Sequence, residues 1–114
     1  MRNKKMKYIV FGFEHYNPLG IVRSLGENGI SPVGIIIKNS RRITSKSKYF
    51  EKIHFVENIE QGYNILLKEY GKASKDGVFT SDDQITSYFD ARYDELVDRF
   101  YFNNAGKKVV FHFI

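Results

Sequence analysis

The sequence predicts an α/β fold: a Rossmann-like, doubly wound, mostly parallel sheet of about five strands in the order 3-2-1-4-5. Three observations lead to it. Short apolar runs alternate along the chain with stretches of helical periodicity. One of these runs, Pro32 to Ile37, carries Val33, Ile35, Ile36 and Ile37 in near succession, as a parallel strand covered on both faces requires. The opening stretch Lys7 to Leu25, KYIVFGFEHYNPLGIVRSL, reads as a strand, a turn and a helix, the way a βαβ unit begins. Right-handed crossovers between parallel neighbours then set strands one and four side by side at the switch point.

Each element has its own warrant. Strand one is Lys7 to Phe13. Helix one runs from Pro18 to Asn28, with Asn17 as its cap, Pro18 at its first position, Leu19, Val22 and Leu25 on one face and Gly29 as a left-handed stop. Ser40 to Phe50 is polar and basic, a loop with a short helical turn. Strand three is Lys52 to Val56, with Ile53 and Phe55 on one side and His54 on the other. Asn58 caps the next helix, and Gln61 completes a capping box. Ile59, Tyr63, Leu66, Leu67 and Tyr70 give this helix its apolar stripe, and Gly71 ends it. Strand four is Gly77 to Thr80. Ser81 and Gln84 repeat the capping-box spacing, and Ile85, Phe89, Tyr93, Leu96 and Phe100 continue a stripe in two helices broken near Asp90. Val109 to Phe113 reads as strand five.

Composition bounds the function. A chain of 114 residues, 42% of them hydrophobic and 16% aromatic, is a single folded domain spanning residues 1–114. With no cysteine it has no disulfide, no thiolate nucleophile and no cysteine-ligated zinc. The basic, then apolar N-terminus is too short before Glu14 and His15 for a signal peptide or a membrane span, so the expectation is a cytoplasmic protein with no membrane partner. The net charge of +5 is concentrated at Lys38, Arg41, Arg42, Lys46, Lys48 and Lys52, while residues 76–98 are acidic. No RNA-recognition, zinc-finger or helix-turn-helix pattern accompanies the basic segment, so no nucleic-acid partner is expected. It reads as a solvated loop or an anion-contacting one.

The motifs of common catalytic classes are missing. Only Gly12 and Gly20 stand where G-x-G-x-x-G would be, and Lys38 replaces the acid that a nicotinamide ribose needs. There is no G-x-S-x-G, P-loop or H-E-x-x-H. One constellation remains. The 3-2-1-4-5 order brings the turn after strand one, Gly12 to Asn17, beside the turn after strand four, Thr80 to Asp83. Glu14, His15, Asp82 and Asp83 then share a crevice, where carboxylates and a histidine suit substrate contact, acid–base work or a divalent metal. The competing reading is plain helix capping, with acids favoured in a first turn. A helix start at Asn17 is also an anion site, with Phe13 and Tyr16 as walls. Gly12 is expected to tolerate change least.

Three runs of the sequence, PLGIVRSLGENGISPVGII, SKSKYFEKIHFV and GVFTSDDQITSYFDARYDEL, resemble the N-terminal (pre-ATP-grasp) domain of ATP-grasp carboxylate–amine ligases, the group of carbamoyl-phosphate synthase large-subunit-like proteins. The shared elements are Arg23-Ser24-Leu25 in the first helix, Ser47-Lys48-Tyr49 before strand three and Thr80-Ser81-Asp82-Asp83 after strand four. The resemblance covers Tyr8 to Asn103. It implies a substrate-side domain, not catalytically complete alone, in a protein that joins a carboxylate to an amine with ATP. It implies that this chain binds no cofactor itself, that ATP and magnesium are held by ATP-grasp domains absent here, and that a small-molecule carboxylate or amine is the substrate. Taken together with the crevice reading, the expected substrate-binding residues are Gly12, Phe13, Glu14, Asn17, Ser47, Lys48, Ser81, Asp82 and Asp83; none is expected to be catalytic or metal-binding. Beyond Ile114 the family continues, so the sequence reads as truncated, frameshifted or a split subunit, with the missing ATP-grasp part as its partner. The alternative is a stand-alone α/β module binding a small anion or nucleotide. Aromatic residues from Tyr88 to Phe102, together with Val109 to Ile114, also offer a surface for homo-oligomer formation.

Overall fold

The computed structural model describes residues 6–102. Five strands, β1 (Tyr8–Phe13), β2 (Val33–Ile37), β3 (Lys52–Val56), β4 (Asp76–Phe79) and β5 (Phe100–Phe102), form one sheet in the order β3-β2-β1-β4-β5. All four neighbouring pairs are parallel. The connections carry α1 (Tyr16–Glu27), a 3₁₀ turn (Thr44–Lys46), α2 (Ile59–Glu69), α3 (Asp83–Asp90) and α4 (Tyr93–Leu96). The predicted fold class and strand order are those of the molecule. Among the described residues, no helix is long and apolar enough to cross a membrane.

The alternation of side chains along β1 divides the core. Ile9 and Phe11 face α2, α3 and α4, where Ile35, Tyr63, Leu66, Ile85, Phe89, Leu96 and Phe100 complete the larger cluster. Val10 faces the other way and meets Phe79 with Val22 and Leu25 of α1, closed off by Tyr49 and Phe50. Gly12 lies on this second face. A Cβ there would stand 2.9 Å from Pro18 Cγ, so glycine lets the first turn of α1 rest directly on the sheet.

Two helix starts differ from the sequence reading. Helix α1 starts at Tyr16, and its cap is His15, whose Nδ1 accepts from the Asn17 N–H at 3.2 Å. Pro18 is thus the third helical residue rather than the first. It still sits in the first turn, where a backbone N–H has no intrahelical partner to lose. At α3 the cap is Asp82 rather than Ser81: its Oδ1 accepts from Gln84 N–H (2.8 Å) and Ile85 N–H (3.2 Å). The Asn58 cap of α2 stands as read, accepting from Gln61 N–H at 2.8 Å, while the Gln61 side chain reaches back to Glu57 N–H at 2.7 Å.

Phe100 ends the predicted helical stripe but belongs to β5. Its neighbour Arg99 explains the switch. The Arg99 guanidinium donates to the carbonyls of Leu67 (2.6 Å), Tyr70 (2.6 Å) and Gly71 (3.0 Å), capping the C-terminus of α2 and drawing the chain to the sheet edge beside β4. The expected strand at Val109 to Phe113 lies outside the described residues. At the same end of the sheet, the buried Asp76 carboxylate accepts from Lys7 N–H (2.9 Å), Gly71 N–H (2.8 Å) and the Ser74 hydroxyl (3.1 Å).

His54 on β3 packs edge-on against Tyr70, with Nε2 2.7 Å from the phenol oxygen. Burial, reinforced by Lys52, lowers its pKa below the ordinary 6.5, with Glu69 opposing. The unfolded chain therefore binds the proton more tightly than the folded one. Stability from this site is complete above pH 6.5 and declines as the pH falls toward the folded value. Thermal melts of the wild type should show this loss just below pH 6.5, and H54Q should flatten it; parallel curves for the two proteins contradict the assignment.

Candidate functional site

The C-terminal ends of β1 and β4 open into a cleft of about 560 Å³. One wall is the β1–α1 turn with Phe13, Glu14, His15 and Asn17; the other is the start of α3 with Ser81, Asp82, Asp83 and Gln84. This is the crevice that the strand order requires at a switch point. Of the residues singled out from sequence, Phe13, Glu14, Asn17, Ser81, Asp82 and Asp83 meet here. Gly12 lies beneath the wall and is buried. Ser47 and Lys48 lie elsewhere, in a second hollow lined also by Tyr16, Leu19, Arg23 and Tyr49.

Glu14 borders the cleft, yet its carboxylate is turned to structural use. Only 4% exposed, it accepts from Ile43 N–H (2.8 Å) and Ser45 N–H (3.0 Å) through Oε1, and from the Ser45 hydroxyl (2.5 Å) through Oε2. Those N–H groups open the 3₁₀ turn, where they have no helical partners. Thr44 completes the clasp from the same turn. Its hydroxyl accepts from His15 N–H (2.9 Å) and lies 2.8 Å from Phe13 O and 2.7 Å from His15 O, donating its single proton to this pair of carbonyls. Asn39 adds a contact of 3.4 Å to Glu14 O. The β1–α1 turn is thereby locked to the β2–β3 connection.

Sequence reasoning missed Thr44, Ser45 and Asn39. Thr44 and Ser45 lie 29 to 31 residues from their partners in the turn, and no local pattern encodes such a pairing.

The unsatisfied polar groups of the cleft define its chemistry. With Nδ1 of His15 occupied as an acceptor, the capping geometry puts the imidazole proton on Nε2, a donor. Asp82 spends Oδ1 on the α3 cap. Its Oδ2 and the Asp83 carboxylate make no hydrogen bond or ion pair to a described residue, so both remain acceptors. The wall is thus acidic and accepting on the α3 side and donating at His15. Such a site matches a polar ligand that carries an ammonium or hydroxyl beside an acceptor group. Among the described residues, no group of three or more His, Cys, Asp or Glu side chains is placed to hold a metal ion. No protein-family model, curated protein or solved structure matches the chain.

Removing the clasp should cost stability in a graded way. E14A leaves two part-buried N–H groups without their acceptor and should lose about 1–3 kcal/mol. T44V keeps the shape but loses the hydroxyl, and should lose about 1–2 kcal/mol. Urea denaturation measures both; losses below about 0.5 kcal/mol would show that solvent replaces the clasp.

Proposed function

We propose that the chain is the N-terminal, substrate-side domain of an ATP-grasp ligase-like protein. It holds a small amine- or carboxylate-bearing substrate in the switch-point cleft and leaves ATP-dependent activation to a separate domain or subunit. The observation that carries this reading is the convergence of the Phe13–Asn17 turn with Ser81–Gln84 in one cleft. The second of these segments contains the Ser81-Asp82-Asp83 part of the Thr-Ser-Asp-Asp run on which the resemblance rests. In this role Asp83 and Oδ2 of Asp82 receive the ammonium or hydroxyl of the substrate, and His15 Nε2–H meets its acceptor. Glu14 holds the turn in place rather than touching substrate. No chemical step is assigned to this chain. A cysteine-free, cytoplasmic ligase component fits the same reading.

The alternative, a stand-alone α/β module for a small anion or nucleotide, is favoured by one observation: the second hollow is lined by four cationic side chains and no acid. The two readings predict different ligands at different places.

Amide shifts recorded during titration with amino acids, small carboxylates and Mg·ATP separate them. The ligase reading expects an amine-bearing ligand to perturb residues 13–17 and 81–84, with D83N weakening binding about tenfold, the worth of one charge-assisted hydrogen bond. It also expects an ATP-grasp reading frame or subunit encoded nearby. Saturating Mg·ATP binding within the switch-point cleft, or no response there to any amine, would contradict it.

A further inference from the structure

The second hollow lies on the opposite flank of the first turn of α1, between that helix and the β2–β3 connection. It has a volume of about 460 Å³, within the range of small-molecule sites. Its floor is apolar, formed by Leu19, Ile43 and the ring of Tyr49. That ring lies against Gly26 so closely that any Cβ there would collide with it, which fixes the floor to α1. Around the floor stand Arg23, Arg42, Lys46 and Lys48, and no acidic residue lines the hollow. The ion pairs among the described residues, Lys7–Glu51 and Lys38–Glu57, leave all four of these cations unpaired. Arg42 is steadied on the Phe55 ring, its guanidinium carbon 5.4 Å from the centroid. Tyr16, 66% exposed, stands at the rim.

Four like charges around one hollow repel one another, and an anion placed among them relieves that repulsion. A phosphate monoester fits better than a single carboxylate: it carries close to two negative charges and three acceptor oxygens, and it takes guanidinium groups in bidentate fashion. The apolar floor calls for a compact hydrophobic or aromatic body attached to that phosphate. An extended polyanion fits less well, because the acidic cleft of Asp82 and Asp83 begins across the first turn of α1 and would repel a continuous phosphate backbone.

We infer that this groove is a second ligand site, which binds a small phosphate monoester with an apolar or aromatic body through Arg23, Arg42, Lys46 and Lys48. The site goes beyond the switch-point reading and does not depend on it. Phenyl phosphate is the direct probe, titrated at low ionic strength with backbone amide shifts as the readout. Saturable shifts are expected at Leu19, Arg23 and residues 43–49, weakening as salt is added. The R42Q/K46Q double variant should bind at least about tenfold more weakly, since it removes two charge-assisted contacts. D83N should bind unchanged, and an unaltered circular dichroism melt for R42Q/K46Q keeps loss of binding distinct from loss of fold. The inference is overturned if phenyl phosphate fails to saturate, if its shifts map to residues 81–84, if R42Q/K46Q binds as tightly as wild type, or if only an oligonucleotide binds. A positive result here alongside silence toward amines in the cleft would remove the ligase reading and leave the groove standing.

Discussion

The Glu14 carboxylate organises the functional end of this molecule. It is buried, and a buried carboxylate is tolerable only when its oxygens are bonded. The β2–β3 connection satisfies that demand with two backbone N–H groups and a serine hydroxyl. In return, the connection acquires an N-terminal acceptor for its 3₁₀ turn. Thr44 then fixes the two carbonyls that flank Glu14. The consequences run outward in both directions. His15 is set where it can cap α1, which places one wall of the switch-point cleft. Residues 43–49 are set beside α1, which forms the basic groove. Loss of the clasp would therefore affect both hollows at once.

Charge divides the two. The cleft faces the first turn of α3, where Asp82 and Asp83 sit at the positive end of the helix and are stabilised by it. The groove gathers cations from α1 and from the connection, with no acid to neutralise them. One helical turn separates the acidic hollow from the basic one. The two hollows therefore present opposite charge to a ligand. This agrees with a substrate-side role in the proposed ligase, and the groove adds a binding capacity which that role does not require.

Much of the architecture was legible in the sequence. The alternation of apolar runs with helical stripes was enough for the parallel order, and that order alone located the cleft. The Asn58 cap and the break near Asp90 were local features and were readable as such. Where several acceptors stood close together, the choice among them was not. His15 competes with Asn17, and Asp82 with Ser81, and each contest moved a helix start by one or two residues. The strand at Phe100–Phe102 was hidden because Phe100 continues a helical spacing and three residues show no period of their own. It is held in place by Arg99, through carbonyls about 30 residues away. The clasp was hidden for the same reason, and with it the fact that Ser47 and Lys48 fall into a different hollow from Asp82 and Asp83.

Native-state hydrogen exchange at the Ile43 and Ser45 amides tests the central claim most directly. Both belong to a connection that would exchange quickly if it were an ordinary surface loop. If Glu14 holds the connection, these two amides in the wild type exchange about as slowly as those of β1, and E14A, which removes the acceptor of both, speeds them selectively while the amides of α2 stay protected. Exchange at the rate of unstructured peptide in the wild type, or no selective change in E14A, would contradict the account.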